Sequence, residues 1–152
     1  MADEVKAKGL NFVYFRDYVT ENQGAAFWSD FLQNLPEEDQ HIWKGAILSA
    51  WYPFKYFKTG FFEYARLMGT GNRSKLPKVY EYIAEKSLNT IYKVFFKVAA
   101  SPTFVLKNYP KLWSLFFNTG SVEILETGDK HCTFRFTLPE IFLDWLGPAC
   151  TG

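Results

Sequence analysis

The apolar residues of this chain recur with a helical period from Gly9 to Phe116 and, after Gly120, with strict alternation. That switch constrains the fold more than any other feature. A period near 3.6 buries one stripe of a helix, and a period of two buries one face of a strand. The order is therefore a run of about six helices followed by a small antiparallel sheet, an α+β fold.

The helices can be placed one by one. Phe12, Phe15 and Val19 mark the first, and Asn22-Gln23-Gly24 stops it. Phe27, Phe31 and Leu35, at four-residue steps, mark a short second helix. Leu35-Pro36-Glu37-Glu38-Asp39 reads as a fresh start, with Pro near the first helical position and acids where the helix dipole favours them. This third helix ends near Lys44-Gly45. Residues 45–53, GAILSAWYP, are apolar and irregular, and Tyr52 precedes a proline and so prefers an extended backbone. Pro53 then opens a longer helix whose Phe54, Phe57, Phe61, Tyr64 and Met68 form one apolar seam. Gly69-Thr70-Gly71-Asn72 ends it. The next helix starts around Leu76-Pro77 and runs to about Ala100, with Val79, Ile83, Leu88, Ile91, Phe95 and Val98 on its buried side. Ser101-Pro102 starts the last helix, striped by Val105, Tyr109, Leu112 and Phe116, and Pro110 is expected to kink or divide it.

Val122 and Ile124, the turn Thr127-Gly128-Asp129-Lys130, and then Cys132, Phe134 and Phe136 predict a β-hairpin over residues 121–137. Its apolar residues cover the helices on one sheet face. Two strands alone are marginal, and an open edge invites pairing with another chain. The expectation is that the hairpin pairs across a homodimer or that more of the domain follows Gly152. Failing both, Pro139 to Gly152 must supply the cover, most simply through Ile141, Phe142 and Trp145. Residues 1–8 read as a disordered leader and 9–152 as a single domain.

Composition narrows the function classes. Sixteen Phe, nine Tyr and five Trp make a fifth of the chain, more than a core of this size needs. The net charge of +1 argues against a nucleic-acid binder. No apolar run approaches the ~20 residues of a membrane span. The start MADEVKAKG lacks the apolar region of a signal peptide, and two Cys, Cys132 and Cys150, make no disulfide framework, so a cytoplasmic protein with reduced thiols is expected.

Conventional catalytic equipment is sparse. His41 and His131 are far apart in sequence, and His131 and Cys132 point to opposite faces of a strand, so they cannot share a metal. No zinc or calcium spacing occurs, and no metal or cofactor is expected. Gly69 to Ser74 lacks the ending of a phosphate loop and reads as a helix end followed by a turn. The acids Glu37, Glu38 and Asp39 are explained by the helix dipole.

The aromatic set around Trp51-Tyr52-Pro53-Phe54 is different in kind. Such rings can be ordinary core, the lip of an apolar pocket, or the centre of a protein interface. For the pocket the candidate lining is Trp51, Tyr52, Phe54, Phe57, Phe61, Phe95, Tyr109 and Trp113.

The stretch WKGAILSAWYPFKYFKTGFFEYARLMGTGN, a long helix, and then SPTFVLKNYPKLWSLFFNTGSVEIL resemble an uncharacterised paralogue family of the myxobacterial type. The cues are LPEED, a G-x-x-L-x-x-x-W-Y-P block, SP followed by P-x-x-W, and N-x-G before the hairpin. That family is similar in outline to the 4-vinyl-reductase-type small-molecule-binding domain. It is also similar to the haem nitric-oxide-binding domain and the core subunits of the TRAPP tethering complex. The resemblance implies a helical layer ahead of an antiparallel sheet, with an apolar ligand or cofactor between them. In the haem-binding branch a His ahead of the Tyr-Pro pair ligates iron. Here Tyr109-Pro110 is present, but no His lies between residues 42 and 130, so that mode has no ligand. The resemblance also implies a further helix and strand pair beginning near Cys150-Thr151-Gly152. The function expected is a non-enzymatic sensor or carrier domain for an apolar small molecule, a lipid or acyl chain, held between helices and sheet. The alternative is a signalling interaction or dimerisation module with no small-molecule ligand.

Overall fold

A computed structural model of the chain describes residues 3–69, 76–90, 93 and 102–145. The described elements are β1 (Lys6–Lys8), α1 (Gly9–Gln23), α2 (Ala25–Gln33), α3 (Glu37–Gly45), β2 (Trp51–Pro53), α4 (Phe54–Leu67), α5 (Leu76–Thr90), α6 (Pro102–Phe116), β3 (Ser121–Thr127) and β4 (Cys132–Thr137), then a 3-10 turn at Glu140–Phe142. The fold is α+β, helices first and the hairpin after them, as the change of period requires.

The helix boundaries follow local chemistry. Gly24 closes α1 by donating its N–H to the Thr20 carbonyl at 3.0 Å. Pro36 and Pro53 each stand just before a helix, at φ −53° and −52°, rather than inside its first turn. α6 runs through Pro110 as one helix, so the expected division does not occur. A single missing N–H leaves the remaining turns bonded, and α6 is packed along β3. Ile91, Phe95 and Val98 of the expected α5 stripe lie outside the described residues, while Val79 and Ile83 are buried as expected.

Residues 4–8 of the expected leader, 1–8, are bonded into the fold. Lys6–Lys8 forms a strand antiparallel to β2, with Ala7 opposite Tyr52 and Lys8 opposite Trp51. Ala7 also bridges Phe117 on its other side. The Asn118 side chain extends that bridge. Its Oδ1 accepts the Lys6 N–H at 2.6 Å and its Nδ2 donates to the Glu4 carbonyl at 2.9 Å. Asn11, fully buried, donates its Nδ2 to the Lys8 and Phe116 carbonyls at 3.0 and 3.2 Å. Both partners of this strand are distant in sequence, so no local pattern announces it. Asn118→Ala is expected to cost about 1 kcal/mol, the net worth of such bonds. Faster hydrogen exchange confined to residues 4–8 would check it.

The core is a continuous aromatic network. Trp43 of α3 lies 4.8 Å from Phe12 and 5.0 Å from Phe15 of α1, 5.5 Å from Phe31 of α2 and 5.8 Å from Phe57 of α4. Gly60 lets α4 approach that indole, for a methyl there would clash with the Trp43 ring edge. The stretch after the hairpin joins this network. Phe142 stacks on Phe54 at 4.4 Å, and Trp145 meets Tyr80 at 5.0 Å and Phe54 at 5.3 Å. The expectation that Ile141, Phe142 and Trp145 cover the sheet is thus corrected for Phe142 and Trp145. The aromatic helices offer a larger apolar seat than a two-stranded ribbon.

Candidate functional site

The hairpin rests on α6 through its inner face. Val122 pairs with Phe136 and Ile124 with Phe134, so these four share one side, and the register slips between Ile124 and Glu126. Gly120 sets the entry to β3 at φ +85°, a backbone region that L side chains rarely adopt. A methyl there would also strike the Leu138 side chain.

Between helix and hairpin lies a part-exposed aromatic cluster. Tyr109 of α6 sits 5.1 Å from Phe134 and 6.1 Å from Phe136, and Trp113, one turn on, sits 5.7 Å from Phe136. Trp113 is the cluster's most buried ring, 8% exposed, with its Nε1 donating to the Thr119 carbonyl at 2.9 Å. Phe134 and Tyr109 are half-buried and Phe136 is 36% exposed. These rings stay partly open to solvent, in contrast to those of the helical core.

The other pocket candidates separate into different places. Phe54, Phe57 and Phe61 have no exposure and belong to the packed core. Tyr52 is half-buried in β2, its hydroxyl accepting the Ile47 N–H at 3.0 Å. Trp51 is 38% exposed beneath the Lys8 ammonium, 4.8 Å from its ring. Phe95 lies outside the described residues. Of the candidates, Tyr109 and Trp113 meet in this cluster. Phe134 and Phe136 complete it, although sequence reasoning assigned them only to the sheet face. The signal was available: residues 109 and 113 are four apart on a helix whose neighbour in the chain is that sheet.

A second feature is an open groove of about 410 Å³ lined by Lys58, Glu140, Ile141, Leu143 and Asp144. The Lys58 Nζ lies 2.7 Å from the Asp144 Oδ1. The hydrogen bond from Lys58 holds the Asp144 carboxyl below its ordinary range.

Several titratable groups elsewhere have structural partners. His131 is exposed at the hairpin turn, its Nε2 3.3 Å from the Glu126 Oε1. His41 is exposed on α3. Asp39 is buried in the first turn of α3, and burial followed by the Glu38 charge pushes its carboxyl up. Glu38 accepts a hydrogen bond from the Tyr56 hydroxyl. Burial pushes Tyr64 up to about 12. Cys132 is a half-buried free thiol, and Cys150 lies outside the described residues. The described residues contain no group of three or more His, Cys, Asp or Glu placed to hold a metal ion. Among them no helix is long and apolar enough to cross a membrane. Gly69 donates to the Arg66 carbonyl at 3.2 Å as a helix end, and the rest of the Gly69 to Ser74 stretch lies outside the described residues.

No family model, curated protein sequence or solved structure matches the chain.

Proposed function

We propose that the protein is a non-enzymatic binding domain, a sensor or carrier, that takes an apolar small molecule such as a lipid or acyl chain against the part-exposed aromatic cluster between α6 and the hairpin. The observation that carries this reading is the cluster's incomplete burial. Tyr109, Phe134 and Phe136 remain part-exposed beside a core whose rings are sealed. Aromatic faces that stay accessible offer large contact area at low entropic cost to a flat or long apolar ligand. The resemblance to helix-then-sheet small-molecule domains supports the same location.

Native mass spectrometry of the purified chain tests it. The expected result is a co-purified small molecule, lost in Phe136→Ala. That substitution is expected to cost less than about 1.5 kcal/mol of stability, because the ring is only partly buried. A chain that carries nothing and gains no protection from added fatty acid contradicts the reading.

A specific observation favours a second reading, a dimerisation or docking module in signalling. The β3–β4 sheet has two strands among the described residues, and Leu125 stands 47% exposed on it. An open ribbon edge pairs readily with another chain. Size-exclusion chromatography with light scattering is expected to show a dimer on this reading, and a stable monomer at high concentration removes it.

A further inference from the structure

The two edges of the β3–β4 ribbon are unequal. β3, SVEILET, carries the register slip between Ile124 and Glu126 and has Glu123 and Glu126 along it. A slip in the ladder and like charges both hinder a second copy from pairing there. β4, CTFRFT, has no slip, Pro or Lys, the devices that protect an edge. Among the described residues it pairs with β3 alone.

The main chain of β4 turns alternate residues to that open edge. Gly128 donates to the His131 carbonyl at 2.8 Å, so 128 and 131 are a bonded pair of the hairpin. Bonded and non-bonded pairs alternate along an antiparallel ladder. Cys132, Phe134 and Phe136 are then the non-bonded residues, and their N–H and C=O groups point away from β3. The rings of Phe134 and Phe136 lie on the inner face with Tyr109 and Trp113, and Phe136 stays 36% exposed there. α6 packs along β3, the strand farther from the open edge, and so leaves room beside β4.

A second copy of β4 fits this edge in one register. Antiparallel pairing must set inner-face residues opposite inner-face residues, or Arg135 is turned to the apolar side. Two such registers keep most of β4 paired, one centred on Phe134 and one on Arg135. The second sets Arg135 opposite the partner's Arg135, and like charges directly opposite destabilise a sheet. Centring on Phe134 sets that residue against its own copy, Cys132 against the partner's Phe136, and Thr133 against the partner's Arg135. We infer that two copies of the chain pair β4 to β4 about a two-fold axis at Phe134, joining two two-stranded sheets into one of four strands. The inference rests on the second reading above, a dimerisation module, and names its partner, strand and register. The Phe134 and Phe136 rings of both copies then form one apolar face flanked by the two α6 helices. The most exposed ring of the aromatic cluster gains a cover that one copy does not supply.

Thr133 tests the register because its two neighbours favour opposite charges. Within one copy it lies opposite Glu126, and across the two-fold axis it lies opposite the partner's Arg135. Thr133, Glu126 and Arg135 are all exposed. Sedimentation equilibrium of the full chain is expected to show a dimer. Thr133→Glu is expected to tighten it about fivefold and Thr133→Lys to weaken it about fivefold, through two symmetry-related cross-strand pairs. An effect acting through hairpin stability alone has the reverse order, because Lys suits Glu126 and Glu repels it. A dimer that Lys tightens, or that neither substitution moves, overturns the β4 pairing and leaves the dimer reading standing on another surface. A monomer at high concentration in all three chains removes that reading and the inference together.

Discussion

Phe57→Ala is expected to lower the unfolding free energy by about 3–5 kcal/mol. The ring has no exposure. Phe12 lies 5.3 Å from it, Trp43 5.8 Å, Phe15 6.0 Å and Tyr80 6.1 Å, so α1, α3 and α5 all pack rings against this one residue of α4. Those neighbours are themselves rigid and mutually packed, so the space left by the benzyl group cannot collapse. The cost therefore includes a cavity term on top of lost transfer energy. It is a large share of the roughly 5–15 kcal/mol available to a domain. Urea unfolding should show the midpoint falling at unchanged slope. A loss below about 1 kcal/mol would mean that Phe57 is not packed core.

The contrast between Phe57 and Phe136 shows what was legible in the sequence and what was not. Both positions carry a Phe on the apolar side of a periodic segment, and periodicity alone treats them alike. What separates them is the opposing surface. Phe57 faces Phe12 and Trp43, each from another helix, while Phe136 faces Tyr109 and Trp113 from α6 and retains an open side. Sequence pattern determines which face of an element turns inward. It does not determine how many rings from other elements arrive there. Among the described residues, the helix starts and stops were legible because prolines, glycines and acids act within one turn.

Long-range contacts were not legible for the same reason. β1 is three residues long, and its two outer residues are lysines. Its partners are β2 and the Phe117-Asn118 corner, so the strand exists only once the chain has closed on itself. Pro139 to Trp145 carries neither a clean helical nor a clean strand period. Its two buried rings are positioned by a 3-10 turn and by the helical seat they fill. The aromatic cluster was half legible: Tyr109 and Trp113 stand out on the α6 stripe, and the alternation puts Phe134 and Phe136 on one sheet face.

Gly9→Ala is expected to cost about 3 kcal/mol, at the upper end for overpacking. Gly9 opens α1 directly after β1 and is buried. Its N–H donates to the Ala50 carbonyl at 2.7 Å, which holds the helix start against the turn before β2. A methyl at this position would fall on the Ile47 carbonyl oxygen. The obstacle is backbone, so no rotamer change relieves it. To make room, α1 must draw away from residues 47–50, and the β1–β2 pairing of Lys8 with Trp51 goes with it. Ala is the better helix former by up to about 1 kcal/mol, so a result governed by propensity would be stabilising. Gly45→Ala supplies that comparison, because a methyl there meets nothing within 4 Å and the residue closes α3 on the surface. Thermal unfolding of the two variants side by side should separate them, with a clear drop in midpoint for Gly9→Ala and no loss for Gly45→Ala. Equal and small effects would mean that α1 and the 47–50 turn do not approach as closely as described.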